Sequence, residues 1–274
     1  MSLDGRARLF SYYGGKARLT EEIKKLLPKC RTYIEPFFGS GAVFFSLEGG
    51  YYSKAVINDM EEGLIHFIRL LASEQGEELI ERLIQLEPDK FLFWEAKHME
   101  QLRYHGCSDM ERAVFFYITM TQSYNCLRKN FRKGMNKERY QKQIANGLPV
   151  AREKLQGVEI LQGDAYDVIM QYKDDPTAVL FIDSPYVQRT RTAPNSYYHE
   201  MRDADQVRML LAVRNAKAKC ILCGYQEEYD GLYDRYLLSQ PNWKAQLLKE
   251  VTKPCANQRG SVGKMAEEWI WKNF

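Results

Sequence analysis

The stretch that decides the fold of this chain is Thr32-Tyr33-Ile34-Glu35-Pro36-Phe37-Phe38-Gly39-Ser40-Gly41. Its first four residues are a short apolar run that ends in an acid, and its glycine turn leads into the apolar helical start 42–45. Glycines let the backbone approach a ligand closely, and the first turn of a helix offers unpaired N–H groups to that ligand. We therefore predict a strand, a ligand-binding turn and a helix in this order.

The same order recurs along the chain. Further short apolar runs, each leading to an acid or a glycine, lie at 55–59, 158–161, 178–182 and 220–223. Strands that alternate with helical patterns predict an α/β fold with a parallel, doubly wound sheet and helices on both of its faces. The alternation of apolar and polar residues near 269–271 predicts one more strand, at the edge of this sheet.

Residues 75–150 interrupt this rhythm, because they show helical patterns and no clear parallel strand. We predict that they form a small helical domain inserted between the second and third strands. Residues 1–74 and 151–274 then make up the catalytic domain. We expect the insert to select the substrate, since an open sheet supplies only general ligand-binding geometry.

One segment of the predicted insert is strongly basic. Between residues 124 and 142, seven lysines and arginines stand against one acid, and Tyr124, Phe131 and Tyr140 lie among them. Basic groups neutralise the phosphates of nucleic acids and aromatic rings stack on bases, so this segment suits a nucleic-acid partner. A solvated basic loop explains the composition equally well.

The composition of the 274 residues argues against several other classes of protein. No apolar run approaches the ~18 residues that span a bilayer, and no secretory segment is present, so we expect a cytoplasmic protein without membrane contact. The six cysteines form no ligand framework, and Cys220 and Cys223 lie in a predicted buried strand. The four histidines also lack metal-ligand spacing, so we expect no metal.

Four acids follow predicted strands: Glu35, Asp59, Asp164 and Asp183. In an open α/β sheet ligands bind beyond the carboxyl ends of the strands, which favours a shared ligand site over four isolated turn residues. Asp59 follows Gly41 by 18 residues, close to the ~20 expected for an acid that binds ribose hydroxyls. The turn lacks the third glycine of the dinucleotide fingerprint, and Glu35 would repel a pyrophosphate. S-adenosylmethionine, which has a sulfonium and an ammonium group, is therefore favoured over NAD.

The tetrad Asp183-Ser184-Pro185-Tyr186 follows the apolar run 178–182. To be methylated, an exocyclic amine must free its nitrogen lone pair from conjugation with the ring. A carboxylate and a neighbouring backbone carbonyl can accept the two amine hydrogens, and the proline fixes the direction of that carbonyl. Asp183, the Ser184 carbonyl and Tyr186 have this chemistry in this order, and we expect the Tyr186 ring to be free in a loop.

These motifs together resemble the Dam-type, D12-class DNA adenine-N6 methyltransferases over most of the chain. Tyr12-Tyr13-Gly14-Gly15-Lys16 is similar to the N-terminal motif of that family, 35–41 to its cofactor loop and 122–136 to its DNA-contacting segment. Its closing segment is similar to Asn257, Arg259-Gly260 and 268–273. The order of cofactor motifs, insert and tetrad is that of the family's alpha group. The resemblance implies a Rossmann-like methyltransferase sheet with an inserted helical target-recognition domain.

The resemblance also implies roles for individual residues. It assigns catalysis to Asp183, Ser184, Pro185 and Tyr186. It assigns cofactor binding to Tyr13, Gly14, Lys16, Glu35, Phe37, Phe38, Gly39, Gly41, Asp59, Asp164 and Asp183. It assigns DNA binding to Lys16, Tyr124, Asn125, Arg128, Asn130, Lys133 and Asn136.

As such a methyltransferase, the chain would move a methyl group from S-adenosylmethionine to adenine N6 in double-stranded DNA after flipping the base out. It would act without a metal, as a monomer encoded by a bacterium or a phage. Two residues depart from the family pattern, because Ser184 stands where proline is usual and Cys126 where glycine is common. Two alternatives stay open: an amine or amide methyltransferase for RNA or protein, and a DNA-binding module with a decayed site.

Overall fold

A computed structural model of the chain describes residues 9–10, 15–191, 198–227, 231–252 and 265–274. Contacts between residues divide the chain into two compact units. The sheet unit comprises Arg18–Phe38, Leu47–Met60 and Leu161–Phe274. The helical unit comprises Met1–Ala17, Gly39–Ser46 and Glu61–Ile160.

The strands of the described residues form one sheet. They are β1 (Thr32–Glu35), β2 (Lys54–Asp59), β3 (Glu159–Gln162), β4 (Ala178–Ile182), β5 (Lys219–Tyr225), β6 (Lys244–Thr252) and β7 (Met265–Lys272). Their order across the sheet is β3-β2-β1-β4-β5-β7-β6. The neighbours β2, β1, β4 and β5 pair in parallel, whereas β7 runs antiparallel to both β5 and β6. The predicted α/β class is confirmed, and the sheet is mixed rather than parallel throughout.

The prediction of an edge strand near the end of the chain is wrong in its position. β7 lies between β5 and β6, and it is β6 that closes this side of the sheet. The sequence of β6, KAQLLKEVT, mixes charged and apolar residues without a continuous apolar run. Strands at a sheet edge tolerate such charged residues, which is why hydrophobicity alone does not reveal β6.

Nine α-helices accompany these strands in the described residues. They are α1 (Thr20–Leu26), α2 (Ala42–Ser46), α3 (Glu62–Ala72), α4 (Gly76–Ile84), α5 (Lys90–Gln101), α6 (Asp109–Thr121), α7 (Lys137–Lys154), α8 (Ala165–Tyr172) and α9 (Asp203–Val213). None of them is long and apolar enough to cross a membrane.

The core of the sheet unit lies between its central strands and the helices α8 and α9. Ile34, Leu180 and Leu222, on three neighbouring strands, are fully buried. Every residue of β4 is buried, as expected for a parallel strand covered on both faces. Cys220 and Cys223 are also buried, in β5, as the apolar run around them predicts.

In the helical unit, α3 packs against α4 and α6, α5 packs against α6, and α4 packs against α7. The ring centroid of Phe67 in α3 lies 5.2 Å from that of Tyr117 and 6.2 Å from that of Phe116, both in α6. The insert predicted from the sequence starts at residue 75 and leaves α3 with the catalytic domain. The contacts group α3 and 39–46 with the helical unit, in which α3 packs on α4 and α6, and the predicted insert 75–150 stays a prediction.

Candidate active site

Three acids lie at the edge of the sheet formed by the carboxyl ends of its parallel strands. Glu35 is the last residue of β1, Asp59 is the last residue of β2, and Asp183 directly follows β4. The three strands are parallel, and Thr32 at the start of β1 is paired with the first residue of both β2 and β4. Their carboxyl ends therefore lie at the same edge, where open α/β sheets bind ligands.

The carboxylate of Glu35 is held in place inside the sheet unit. Its side chain is buried, and Oε2 accepts a hydrogen bond of 2.9 Å from the hydroxyl of Tyr33. Burial and, next, the charge of Glu35 hold the pKa of Tyr33 well above its usual range. Tyr33 thus stays a hydrogen-bond donor to Glu35 at neutral pH.

Asn58, a residue that the motifs do not single out, ties three strand ends together. Its Nδ2 atom donates to the carbonyl of Pro36 at 2.9 Å and to that of Gly163 at 3.1 Å. The Asn58 carbonyl accepts from the N–H of Phe38 at 2.9 Å, and the Asp59 carbonyl accepts from the N–H of Gly163 at 3.2 Å. The one sequence signal for this role is a polar amide inside an otherwise apolar strand.

The turn after β1 has the backbone that its glycines predict. Gly39 and Gly41 have φ angles of 50° and 66°, in the left-handed region that costs glycine little. The Gly41 carbonyl accepts the first hydrogen bond of α2, from the N–H of Phe45 at 2.8 Å. Of the two predicted cofactor residues before this turn, Phe38 is buried and Phe37 packs partly buried against the core of the sheet unit.

Asp164, predicted to bind the cofactor, already has two partners in the protein. One carboxylate oxygen caps α8 by accepting from the N–H of Tyr166 at 2.9 Å. The other lies 3.1 Å from Nη1 of Arg208, whose guanidinium lies 3.7 Å from the centroid of the Tyr166 ring. The structure therefore shows Asp164 as a cap and ion-pair partner, and its contact with a cofactor stays a prediction.

The aromatic ring of the tetrad does not lie free, which corrects the expectation for Tyr186. The side chain is buried, and its hydroxyl donates a hydrogen bond to the carboxylate of Glu268 in β7. The ring of Tyr225 in β5 meets it edge to face, with centroids 4.7 Å apart. The expectation fails because both partners come from strands far away in the sequence.

The second residue of the tetrad is buried as well. The Ser184 hydroxyl lies 3.1 Å from the hydroxyl of Tyr233, which precedes a π-helical turn at Asp234–Leu238. Asp183, in contrast, is only partly buried. The second residue of the tetrad is therefore anchored inside the sheet unit by its side chain, while the first residue is less deeply buried.

In the helical unit, the predicted DNA-contacting segment forms a closed hairpin. Ser123 and Phe131 form an antiparallel bridge, and the N–H of Tyr124 donates to the Asn130 carbonyl at 2.8 Å. Several of the predicted DNA-binding side chains are exposed, namely Tyr124, Asn125, Asn130, Lys133 and Asn136. Asn136 also caps α7, since its Oδ1 atom accepts from the N–H of Arg139 at 2.7 Å.

Arg128 and Lys16 do not share this exposure, although the sequence predicts that they bind DNA. Both are buried. The guanidinium of Arg128 forms ion pairs with Glu61, at 3.2 Å, and with Glu100. A cation whose charge two carboxylates already balance has little attraction left for a phosphate, so the structure favours an anchoring role for Arg128.

The tip of the hairpin has an unusual backbone. Asn125, Cys126 and Arg128 have φ angles of 52°, 56° and 57°, in the left-handed region that side chains other than glycine rarely adopt. Such conformations persist where surrounding contacts hold them, and they concentrate at functional sites. Cys126, which stands where the family commonly has glycine, therefore adopts a backbone suited to glycine.

Two exposed aromatic side chains lie on α5, the helix that packs on this hairpin, and the sequence motifs do not single them out. Phe91 and Trp94, in the first turns of α5, are 84% and 44% exposed. Their neighbour Phe93 packs on Phe131 of the hairpin, with ring centroids 5.8 Å apart. The side chain of Gln122 also ties the hairpin to the start of α5 through the Asp89 N–H at 3.1 Å and the Glu87 carbonyl at 3.2 Å.

Comparison with known protein families identifies the family of this chain. A model of the D12 class N6 adenine-specific DNA methyltransferases matches residues 12–250, most of the chain. The chain belongs to this family. The resemblance seen in the sequence is thereby confirmed, together with the reaction class, the S-adenosylmethionine-dependent methylation of adenine in DNA.

Two relatives with similar sequences agree with this assignment. The type II methyltransferase M.MjaIII of Methanocaldococcus jannaschii is 28% identical over 72% of this methyltransferase and 75% of its own length. The DNA adenine methylase of Salmonella typhi is 29% identical over 68% of this chain and 67% of its own. Among solved structures, a putative methylase from Haemophilus influenzae superposes with a TM-score of 0.38 and 12% identity, covering 93% of this chain and 88% of that one.

The residues at the sheet edge of this methyltransferase fit its cofactor. S-adenosylmethionine carries a positive sulfonium and ammonium group and two ribose hydroxyls, all of which carboxylates bind well. Glu35 and Asp59 supply carboxylates for these groups, with the carboxylate of Asp183 at the same ends of the strands, whereas a dinucleotide pyrophosphate would be repelled by them. In the described residues, no group of three or more His, Cys, Asp or Glu side chains is arranged to hold a metal ion.

Some of the predicted site residues are not among those that the structure describes. Tyr12, Tyr13 and Gly14 of the N-terminal motif lie outside the described residues. The same holds for Asn257 and for Arg259-Gly260 of the closing segment. Glu268 of that segment is described, and it is the carboxylate that binds Tyr186.

Proposed function

We propose that this chain is a site-specific methyltransferase that binds double-stranded DNA through its helical unit and methylates N6 of an adenine held by residues 183–186. One observation carries the proposal. Asp183 follows β4 at the sheet edge where β1 and β2 end in Glu35 and Asp59, so an amine-binding carboxylate and cofactor-binding carboxylates share that edge.

The cofactor would be held mainly by groups at this edge. Asp59 would bind the ribose hydroxyls, Glu35 would attract the positive end of the cofactor, and the turn at Gly39 and Gly41 would let the backbone come close. Further contacts are proposed for Tyr13, Gly14, Lys16, Phe37, Phe38 and Asp164. When bound, S-adenosylmethionine supplies an electrophilic methyl group.

The tetrad would prepare the amine of the adenine. The Asp183 carboxylate accepts one amine hydrogen and the Ser184 carbonyl accepts the other, which draws the nitrogen lone pair away from the ring. Asp183 is also the base at hand for the proton that the nitrogen loses after methylation. Fixed acceptors of this kind contribute by positioning and by electrostatic stabilisation.

The adenine itself would be held against Tyr186. Extruding a base from a duplex costs a few kcal/mol, and stacking on an aromatic ring offsets about 1–3 kcal/mol of this. Tyr186 is buried in the structure. The groups that cover its ring must therefore move aside when the base enters.

DNA would dock on the exposed basic face of the helical unit. Lys133 would bind a phosphate, while Tyr124, Asn125 and Asn130 at the hairpin are exposed and able to reach bases or sugars. Arg128, in its buried ion pairs, would hold the hairpin in shape rather than touch DNA.

Phe91 and Trp94 would extend this face. Exposed aromatic rings beside a basic hairpin suit stacking on or between bases, and the contacts of Phe93 and Gln122 fix α5 beside the hairpin. Alanine at either position should weaken duplex binding by a similar factor at low and high salt, because stacking is not screened. Lys133→Ala should weaken it mainly at low salt. Unchanged binding by both aromatic variants would remove them from the interface.

The proposal is tested by incubating the protein with labelled S-adenosylmethionine and plasmid DNA and mapping methylated adenines. We expect N6-methyladenine at a defined sequence. Asp183→Ala should abolish transfer, because the amine loses its acceptor, while calorimetry shows cofactor affinity largely retained.

Three results would contradict the proposal. Methylation of RNA or protein with none in duplex DNA would favour the amine methyltransferase alternative. Binding of DNA without any affinity for the cofactor would favour a decayed module. Loss of cofactor binding together with transfer in Asp183→Ala would make Asp183 a cofactor or structural residue and not the acceptor of the amine.

A further inference from the structure

Three buried side chains form a hydrogen-bonded chain behind the tetrad in the sheet unit. The hydroxyls of Ser184 and Tyr233 are 3.1 Å apart, and the Tyr233 hydroxyl is 3.1 Å from Oε1 of Gln206 in α9. Nε2 of Gln206 donates to the Pro185 carbonyl at 2.6 Å. The hydrogen bonds thus run from the side chain of Ser184 through Tyr233 and Gln206 to the carbonyl of Pro185, the next residue of the tetrad.

The direction of each hydrogen bond follows from the chemistry of the groups. The Gln206 amide must point its NH₂ at the Pro185 carbonyl, because a carbonyl only accepts. Its oxygen therefore faces Tyr233, whose single hydroxyl hydrogen is used on that oxygen. Ser184 must then be the donor to Tyr233.

Tyr233 is itself firmly placed. Its ring lies 4.8 Å from that of Trp271 in β7, and the indole N–H of Trp271 donates to the neighbouring Asp234 at 2.7 Å. Burial, the main cause, raises the pKa of Tyr233, so its hydroxyl keeps the proton that the chain requires. The side chains of Ser184, Tyr233 and Gln206 are at most 5% exposed, so water does not compete for these hydrogen bonds.

We propose that Tyr233 and Gln206 are positioning residues that hold the tetrad in its active shape through Ser184 and Pro185, in place of a proline ring at position 184. A proline locks its own φ, whereas serine leaves that angle free. Here the Ser184 hydroxyl and the Pro185 carbonyl are each tied down, which fixes the Ser184 carbonyl between them. This inference rests on the proposed function of the tetrad.

The test is a set of rate measurements on Ser184→Ala, Tyr233→Phe and the double variant, with duplex DNA under single-turnover conditions. Each single variant should lower the methylation rate about tenfold, the equivalent of one buried hydrogen bond. The double variant should be no slower than either, because one missing hydroxyl already breaks the chain. Cofactor affinity should stay constant throughout.

Two further variants sharpen the test. Tyr236→Phe removes a hydroxyl three residues away, in the π-helical turn that Tyr233 precedes, and should leave the rate unchanged. Ser184→Pro in the Tyr233→Phe background should be faster than Ser184→Ala in that background, because the ring restores the lost constraint on φ.

The outcomes separate the inference from the proposed function. Additive losses in the double variant, or a fall in cofactor affinity that accounts for the rates, would overturn the positioning role. No restoration by proline would also overturn it. If the unaltered protein transfers no methyl group to DNA, the proposed function fails, whereas methylation with additive losses defeats only this inference.

Discussion

The hydroxyl of Tyr186 donates a hydrogen bond to the carboxylate of Glu268, 82 residues further along the chain. Both side chains are buried. Glu268 in β7 is paired with Tyr225 in β5, whose ring packs edge to face against that of Tyr186. The antiparallel strand at the end of the chain thus fixes the aromatic residue of the tetrad.

We predict that Glu268→Ala lowers the methylation rate about tenfold, because the buried Tyr186 hydroxyl loses its acceptor and the ring its orientation. Glu268→Gln should have a smaller effect, since an amide oxygen can still accept the hydrogen bond. Adding Tyr186→Phe to Glu268→Ala should change the rate little further. Single-turnover rates with duplex DNA measure all three variants. A double variant that is much slower than Glu268→Ala would show that Glu268 does not act through Tyr186.

Buried tyrosines make the stability of this protein depend on alkaline pH. The pKa values of Tyr33, Tyr117 and Tyr186 are held well above the usual value, chiefly by burial and, for the first and last, by Glu35 and Glu268. The unfolded chain releases these protons near pH 10, while the folded protein keeps them. Their stabilisation is therefore complete below about pH 10 and is lost as the pH rises towards the folded values.

The measurement is urea unfolding at pH 8.0 and at several values above pH 10. We expect the free energy of unfolding to fall steadily above about pH 10. Tyrosinate absorbance from the buried groups should appear together with the unfolding signal. A stability that stays level through this range, or early ionisation of the buried tyrosines in the folded protein, would contradict the prediction.

Arg128 and Lys133 allow anchoring to be separated from DNA binding. Arg128→Ala should lower the free energy of unfolding by about 3–5 kcal/mol, because the nearly buried carboxylates of Glu61 and Glu100 lose the cation between them, and Glu100 keeps only its ion pair with Lys97. Lys133→Ala, at an exposed position, should change stability by less than about 0.5 kcal/mol. It should instead make the DNA affinity less dependent on salt, by the amount expected for the loss of about one phosphate contact.

Urea unfolding and duplex affinity at several salt concentrations give both quantities. If Arg128→Ala keeps its stability and loses one phosphate contact, Arg128 binds DNA directly, as the sequence alone predicts. If Lys133→Ala leaves the salt dependence unchanged, the exposed side of the hairpin is not the DNA-binding face.

The sequence predicts most of the sheet because buried parallel strands consist of short runs of apolar residues. It also predicts that Glu35, Asp59 and Asp183 come together, since the carboxyl ends of parallel strands share one edge. It does not predict β6, whose residues mix charge and hydrophobicity. Nor does it predict the order of β7 and β6 at that end of the sheet, which depends on pairing rather than on composition.

The parts of the site that the sequence misses are long-range partnerships. Tyr186 looks like a free loop residue until Glu268 and Tyr225 are brought beside it. Arg128 looks like one more surface cation in a basic segment until Glu61 and Glu100 surround it. Residue type and spacing indicate which interactions a side chain can form, whereas the partner with which it forms them depends on the tertiary fold.

Cys126 offers a test of backbone strain in the hairpin. Its φ of 56° lies in the left-handed region, which costs a residue with a side chain about 1 kcal/mol or more. Glycine adopts this conformation freely, although it also gives the unfolded chain more freedom. We predict that Cys126→Gly raises the free energy of unfolding by about 0.5–1 kcal/mol, because the relief of strain exceeds the added entropy.

The matched control is Cys107→Gly, the same substitution at a cysteine that is not among the residues with positive φ. There glycine only adds freedom to the unfolded chain, so stability should fall by about 0.5–1 kcal/mol. Urea unfolding under reducing conditions compares the two variants directly. Opposite signs would show that the hairpin tip stores strain at Cys126, whereas equal losses would show that contacts of the Cys126 side chain outweigh the strain of its backbone.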